Sequence, residues 1–507
     1  MKYLAVVFAL LSAFALATIH AQQPDYETLK AEAEKYYADA SYSKAREVYV
    51  KARALPLGRS ESRWIEFRLA DTLWRAQAAT NTADSTKYNV ARQQLEVLVR
   101  DIERAEDRDR VWAEVYESLG DFWWMRNDSK NWQQGWQSYH QALDWWSGSA
   151  DIETARDRYL SIVWKISKPS WSEAHYYYGY YGNYVPLEIL DNGLKIAQTE
   201  NDRAHLHYLI AMTLRGQGGD WERRQRVPEE FEAAIKPGKT TDWYDDSLYY
   251  YAEWMSSSGR ITQLGDGQWK PEPDYVRAVE LFRRLINEHQ KGEIRYYDQA
   301  KNQIDNITKP TVGVSVSNVF LPESEIQFYL SWRNVKRVEL ALYKVDLTRD
   351  VVFSDNNDHT SNWVQRVTTT GAARIRAWAK DTEDKGDYRP GSETVRLDGK
   401  LATGAYLLEV KDDKATARDL ILVSDASLVL KTSGKQALGY LCNAMTGAPL
   451  ADANVKLWEH AHDGKGSVWR QQVKKTGADG IAVFDLEHAN NGNSDLFAAA
   501  ASADRQA

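Results

Sequence analysis

The chain has 507 residues and a formal net charge of −8, and 43% of its residues are hydrophobic. This length predicts two or three domains, and the composition excludes a disordered or collagen-like chain. An acidic chain is a poor candidate for sequence-independent nucleic-acid binding, because phosphate contacts require a basic surface. The single cysteine, Cys442, excludes an intramolecular disulfide and any metal site built from several cysteines.

The first residues predict an export signal. Lys2 supplies a positive charge, and the apolar run from Leu4 to Leu16 is too short to span a bilayer. A small residue at Ala21 predicts cleavage there, so that residues 1–21 form a signal peptide. We expect a protein of the bacterial periplasm or cell envelope with no transmembrane segment after cleavage; the alternative is a short N-terminal anchor.

The chain changes character near Pro310. From Tyr26 to about Ile307, apolar and small residues recur at helical spacings of three and four. After Thr311 they alternate as in β-strands, where successive side chains point to opposite faces. The alternation is clearest at Ile326, Phe328, Leu330 and Trp332. The sequence therefore predicts a multidomain chain that is α first and β afterwards.

The helical part contains a weak repeat in which small and bulky residues keep the spacing of stacked helix pairs. One copy consists of Leu29, Ala33, Tyr36, Ala45, Tyr49 and Ala52. A second copy consists of Tyr116, Leu119, Gly120, Trp123, Tyr139 and Ala142. A third consists of Leu248, Ala252, Ala278 and Phe282, interrupted by an insertion from Ser258 to Pro273. This part resembles a tetratricopeptide-type α-solenoid with irregular loops.

Aromatic residues are abundant, with 20 Trp and 29 Tyr. One group within the second repeat comprises Trp123, Trp124, Trp132, Trp136, Trp145 and Trp146. Another, between glycines, comprises Tyr176, Tyr177, Tyr178, Tyr180, Tyr181 and Tyr184. Aromatics commonly fill the grooves between helices, but the tyrosine group is more typical of a loop. We therefore predict the six tyrosines as a binding surface for peptide or glycan.

The β part resembles a known family in two sections. The first runs from Val319 to Val345, and the second from Gly404 through Asp425 to Trp458. Short alternating strands separated by turn signals predict β-sandwiches. These sections resemble macroglobulin-type domains of the bacterial alpha-2-macroglobulin family, some members of which have a tetratricopeptide-like region ahead of them.

The resemblance implies a domain organisation. A tetratricopeptide-like helical region would cover residues 22–309 and a first macroglobulin-like sandwich residues 310–425. A second sandwich, of the MG2 type and short of strands, would cover residues 426–507. The Thr446 to Val455 motif also occurs in transthyretin-like modules, so it favours the sandwich more strongly than the family. We expect the chain to be the N-terminal part of a longer protein, with a natural end at Ala507 as the alternative.

The family traps proteases with a bait segment, and many members carry a thioester within Cys-Gly-Glu-Gln. Here Cys442 is followed by Asn443, so no thioester can form in this chain. We find no zinc-peptidase motif and no nucleophile elbow, and we predict no catalytic residue, cofactor or metal ligand.

Two functions follow as hypotheses. The first is a non-enzymatic exported protein of the alpha-2-macroglobulin type, in the endopeptidase-inhibitor class. The resemblance implies proteases as partners, and the helical solenoid would dock other envelope proteins. The alternative is an envelope binding module that recognises peptide or glycan through the aromatic clusters of the helical region.

Overall fold

The structure is a computed structural model that describes residues 25–80, 85–126, 130–167, 185–216, 219–265, 267–316, 319–354, 359–462, 467–487 and 495–507. Packing divides the chain into two compact units. The first comprises Met1–Trp254 and Ser258–Glu272, and the second Met255–Ser257 and Pro273–Ala507. The predicted signal peptide lies outside the described residues.

The first unit is a succession of helices, the last of which ends in Met255–Ser257 of the second unit. They are α1 (Tyr26–Ala38), α2 (Tyr42–Arg53), α3 (Arg59–Ala78), α4 (Ser85–Val99), α5 (Arg110–Met125), α6 (Trp132–Ser147), α7 (Ile152–Ile166), α8 (Leu187–Ile196), α9 (Glu200–Gly216), α10 (Trp221–Arg224), α11 (Val227–Ile235) and α12 (Tyr244–Ser257). From α1 to α9, described helices that follow one another in sequence pack together, and α3 also packs on α5. The predicted solenoid architecture is confirmed.

The second repeat illustrates why the sequence folds in this way. Asp109 and Asn131 cap α5 and α6 by accepting hydrogen bonds from backbone N–H groups in the first turn. Gly120 lies against the ring of Tyr139, and a Cβ built on Gly120 would lie 2.5 Å from two ring carbons. Close approach of α5 and α6 therefore requires glycine at this position.

The interrupted third repeat contains a β-hairpin, β1 (Arg260–Gly265) and β2 (Gln268–Glu272), where the sequence predicted only an insertion. The side chains assigned to this repeat are all buried. Two further helices, α13 (Tyr275–Glu288) and α14 (Tyr297–Thr308), belong to the second unit.

The second unit continues with two antiparallel β-sandwiches. The strands of the first are β3 (Thr311–Ser315), β4 (Gln327–Arg333), β5 (Arg337–Val345), β6 (Ala373–Asp381), β7 (Gly391–Arg396), β8 (Gly404–Lys411) and β9 (Thr416–Val423). They form sheets in the orders β3-β4-β7 and β6-β5-β8-β9. The predicted alternation is confirmed, because Ile326, Phe328, Leu330 and Trp332 all point into the core.

The strands of the second sandwich are β10 (Ala426–Ser433), β11 (Gln436–Asn443), β12 (Asn454–His462), β13 (Ser467–Lys475), β14 (Ile481–Asp485), β15 (Asp495–Ser502) and β16 (Arg505–Gln506). Its sheets have the orders β10-β11-β14 and β13-β12-β15-β16. It therefore has a three-stranded and a four-stranded sheet, like the first.

A shared apolar core joins the two sandwiches. Trp458 and Ala499 of the second sandwich pack with Val345, Phe353 and Leu407 of the first. Trp458 is 1% exposed, and its ring centroid lies 6.0 Å from that of Phe353.

Polar contacts support this core. The side chain of Gln506 accepts a hydrogen bond from the Leu347 N–H at 2.7 Å and donates one to the Val345 carbonyl at 2.9 Å. These bonds connect β16 to the end of β5 and to the short helix Leu347–Asp350 that follows it, so the two sandwiches should behave as one cooperative body.

We expect Gly120→Ala to destabilise the first unit by about 1–3 kcal/mol, because the added methyl must displace the Tyr139 ring. Gly216→Ala is the matched control: it also lies in a helix, and its Cβ would meet nothing within 4 Å. Urea unfolding followed by circular dichroism measures both changes. Equal midpoints for the two variants would contradict the packing of α5 on α6.

We expect Trp458→Ala to lower the free energy of unfolding by about 3–5 kcal/mol and to loosen both sandwiches together. Hydrogen exchange should then accelerate in β5 and β8 as well as in β12. The control is Val473→Ala in β13, where the side chain is 60% exposed. Faster exchange confined to the second sandwich would show that the shared core does not couple them.

Candidate binding cleft of the helical region

A cleft of about 640 Å³ opens between α4 and α6, with α5 beneath it. Residues of α5 form the floor, and residues of α6 and of the C-terminal end of α4 form the walls. The lining residues are Glu96, Val99, Arg100, Tyr116, Leu119, Trp123, Gln134, Gln137, Ser138 and Gln141.

The floor is aromatic and apolar. Tyr116, Leu119 and Trp123 follow one another at spacings of three and four, which places them on one face of α5. Leu119 is buried, whereas the two aromatic residues are partly exposed. The ring of Tyr116 lies 4.6 Å from that of the buried Trp112. Burial raises the pKa of Tyr116 despite the opposing charge of Arg108, so its hydroxyl stays protonated at neutral pH.

The α6 wall is polar and uncharged. Gln134, Gln137, Ser138 and Gln141 occupy one helical face by their spacing of three, four and seven. Each glutamine amide offers two N–H donors and a carbonyl acceptor. The Ser138 hydroxyl donates to the backbone carbonyl of Gln134 at 2.9 Å, so its lone pairs can still accept a hydrogen bond.

The α4 wall carries two charged side chains, of which Glu96 is paired and Arg100 is unpaired within the described part of the chain. Glu96 accepts a hydrogen bond from Arg92 at 2.7 Å in an ion pair one helical turn apart. Arg100 is exposed and, within the described part of the chain, makes no hydrogen bond or ion pair. The cleft therefore presents a net positive guanidinium beside neutral amides.

Beneath the floor, buried ion pairs run from helix to helix. Arg68 of α3 donates to Glu34 of α1 at 2.6 Å. Two turns further along α3, Arg75 donates to both oxygens of Asp71, which is 0% exposed, and at 2.7 Å to Asp121 of α5. These contacts connect α1, α3 and α5 through charged groups, of which Asp71 and Asp121 are buried and Glu34 is partly exposed.

The same network continues into α7. Lys165 donates to both oxygens of Asp121, at 2.9 and 3.2 Å, and the Tyr139 hydroxyl donates to one of them. Burial opposes ionisation of Asp121, but Lys165, Arg75 and these hydrogen bonds outweigh it and hold the pKa of Asp121 well below its ordinary range. The carboxylate is therefore charged at neutral pH.

In the neighbouring acid Glu117, burial outweighs the effect of the nearby cations. Burial raises the pKa of Glu117 although Arg158 and Lys165 oppose it. One oxygen of Glu117 accepts from the Trp146 indole N–H at 2.5 Å, and the other from Arg158 at 3.0 Å. The inner face of α5 thus holds Glu117 and Asp121 in buried hydrogen bonds, while its outer face forms the cleft floor.

A second aromatic feature lies further along the first unit. The ring of His205 is stacked between the rings of Trp164 and Trp243, at centroid distances of 4.1 and 3.7 Å. The ring of Tyr208 stacks on that of Trp243 at a centroid distance of 5.0 Å. Burial lowers the pKa of His205 to about 3, so the ring is neutral at physiological pH. Both faces of His205 are occupied, which leaves them no area for a ligand ring.

The predicted tyrosine surface cannot be placed in this geometry. Tyr176, Tyr177, Tyr178, Tyr180, Tyr181 and Tyr184 lie outside the described residues. The tryptophan group is divided: Trp146 is 3% exposed and belongs to the core, whereas Trp123 is partly exposed in the cleft. Among the described residues, no group of three or more His, Cys, Asp or Glu is placed to hold a metal ion.

Sequence reasoning missed the buried ion pairs, although a local signal exists. Asp71 follows Leu-Ala and Asp121 follows Leu-Gly, in both cases with tryptophan three residues later. An acid next to a small helix-packing residue lies on the buried side of the helix. The two acids therefore repeat the same position in α3 and α5.

No family model and no curated protein matches the chain. Among solved structures, it is similar to native alpha-2-macroglobulin from Escherichia coli spanning domains MG0-NIE-MG1, at 16% identity and a TM-score of 0.26, over 39% of this chain and 62% of that one. A fragment spanning NIE-MG1 is similar at 12% identity and a TM-score of 0.24, over 39% and 95% of the two chains. This chain thus covers less than two thirds of the longer fragment.

A tetratricopeptide protein from Thermus thermophilus is similar at 12% identity and a TM-score of 0.17, over 55% of this chain and 98% of that one. The structural neighbours include an alpha-2-macroglobulin and a tetratricopeptide protein, the two classes of protein that the sequence resembles. Within the described residues, no helix is both long enough and apolar enough to cross a membrane.

We expect Lys165→Met to lower the free energy of unfolding at pH 7 by about 1–3 kcal/mol, because Asp121 loses one of its two cations. The pKa of Asp121 is lower in the folded state, so its ionised form stabilises the fold above about pH 4, and that contribution disappears as the pH falls. The difference between wild type and variant should therefore shrink below about pH 4.

Urea unfolding at pH 7, 4 and 3 tests this dependence. Arg104→Met is the control, because the Arg104–Asp107 pair is solvent-exposed and should change stability by no more than about 0.5 kcal/mol. A difference between wild type and Lys165→Met that is independent of pH would show that Lys165 acts through packing alone.

Proposed function

We propose that this chain is a non-enzymatic exported protein of the alpha-2-macroglobulin type, in the endopeptidase-inhibitor class. Its helical region would dock partner proteins, and its two joined sandwiches would be the first macroglobulin-like domains. The order of the two parts, helices before sandwiches, is the arrangement that the sequence resemblance implies.

The observation that carries the proposal is the structure of the segment around the Thr446 to Val455 motif. The motif forms the connection between β11 and β12, which lie in opposite sheets of the second sandwich. Asn443 accepts from the backbone N–H groups of Met445 and Thr446 at 3.0 Å, and the Tyr440 hydroxyl donates to the Gly447 carbonyl at 2.8 Å. This motif thus builds a defined crossover between the two sheets, which supports a sandwich of the kind that the macroglobulin resemblance implies.

Gly480 also supports this crossover. Gly480 has a φ of 76°, and a Cβ there would lie 2.6 Å from the Leu441 carbonyl oxygen. Cys442 is 9% exposed within β11 and is followed by Asn443 rather than by a thioester sequence. We therefore propose a docking and supporting role for this chain. We assign covalent capture of a protease to none of its residues.

The test uses native protein captured from envelope fractions of its source with an antibody against this chain. The preparation is mixed with an endopeptidase, and hydrolysis of casein and of a small chromogenic peptide is followed. An entrapment inhibitor should suppress casein hydrolysis while the small peptide is still cleaved. We expect the recombinant 507-residue chain alone to suppress neither.

The intact mass of the captured protein is measured in parallel. A mass well above 58 kDa is expected if further macroglobulin domains follow this chain. Unchanged casein hydrolysis by the native preparation would reject protease inhibition.

A further inference from the structure

We propose that the cleft between α4 and α6 binds a carboxylated oligosaccharide. Tyr116 and Trp123 would stack on the apolar faces of sugar rings, the glutamines of α6 would bind hydroxyl groups, and Arg100 would bind the carboxylate. This assignment does not depend on the alpha-2-macroglobulin proposal.

The floor is suited to flat rings. Tyr116 and Trp123 are seven residues apart on α5, which corresponds to about 10 Å along the helix axis at 1.5 Å per residue. Each therefore can meet a different ring of a saccharide chain. Because the inner face of α5 is held by the ion pairs of Glu117 and Asp121, this floor is ordered before a ligand arrives, which reduces the entropy lost on binding.

The α6 wall favours hydroxyl groups over a peptide backbone. The cleft is built from helices, whose backbone groups already pair internally, so it offers no strand edge for an extended peptide. A polyproline segment presents carbonyl acceptors but no N–H donors and would leave the glutamine carbonyls unpaired. A hydroxyl both donates and accepts, and it can use the amide group completely.

Charge supplies the remaining selectivity. Glu96 is neutralised by Arg92, whereas Arg100 is free within the described part of the chain. A guanidinium can pair with a carboxylate through two parallel hydrogen bonds. A ligand that combines sugar rings with a carboxylate would therefore use the floor, the α6 wall and Arg100 together.

The test is isothermal titration calorimetry of the full chain at low salt with three probes. They are a tetrasaccharide of alternating glucuronate and N-acetylglucosamine, the neutral tetramer of N-acetylglucosamine, and decaproline. We expect the charged tetrasaccharide to bind most tightly, the neutral tetramer more weakly, and decaproline not at all. Binding of decaproline alone, or of no probe, would overturn the proposal.

Variants locate the binding. Trp123→Ala should weaken binding of the charged tetrasaccharide about tenfold, and Gln137→Ala about fivefold, the loss expected for one net hydrogen bond. The matched control is Gln133→Ala, an exposed glutamine on the same helix outside the cleft. Gln137 is also exposed, so its variant should fold even if Trp123→Ala does not, and equal affinities for Gln133→Ala and Gln137→Ala would refute the assignment.

Arg100→Gln separates charge from stacking. It should reduce the affinity for the charged tetrasaccharide to that for the neutral tetramer and leave the affinity for the neutral tetramer unchanged. Retention of the full preference for the charged probe would exclude Arg100 as the carboxylate partner.

Discussion

The helical region depends on buried carboxylates that are shared between alternate helices. Asp71 and Asp121 have no access to water that could solvate them, and a buried charge without a partner costs several kcal/mol. Arg75 pairs with both, and Lys165 completes the second pair. Sliding α3 past α5 would separate these groups, so the ion pairs select one register where apolar packing alone would tolerate several.

That constraint also determines which face of α5 is available to a ligand. Glu117 and Asp121 commit one face to the ion pairs, and Gly120 commits a second to close contact with α6. Tyr116 and Trp123 lie beside Gly120 by their spacing of four and three residues, and they line the cleft. In the sandwiches a different interaction has the equivalent role, because the shared apolar core around Trp458 fixes one domain on the other.

The sequence predicted the parts of the fold that follow from periodicity and steric size. Gly120 and Tyr139 keep the spacing of stacked helix pairs, and the alternation from Ile326 onwards identifies a strand with one buried face. The cleft was not predicted, because groove aromatics such as Tyr116 are expected in the core, and only the positions of α4 and α6 leave them partly exposed. Charged residues in helices are usually solvated, so Asp121 gave no sign of its burial apart from the Leu-Gly before it.

The abundance of aromatic residues is therefore an incomplete guide to binding. The indole N–H of Trp146 donates to Glu117 within the core, and the ring of His205 has a tryptophan on each face. Stacking on a ligand requires a ring face that no protein group covers and a neighbouring polar group that is not already paired. Trp123 is partly exposed, and the glutamines of α6 lie beside it. The guanidinium of Arg126 lies over the Trp123 ring, 5.6 Å from its centroid, so a ligand would have to stack on the other face of that ring. Both faces of His205 are covered, and we therefore propose ligand recognition at α5 and α6 rather than at His205.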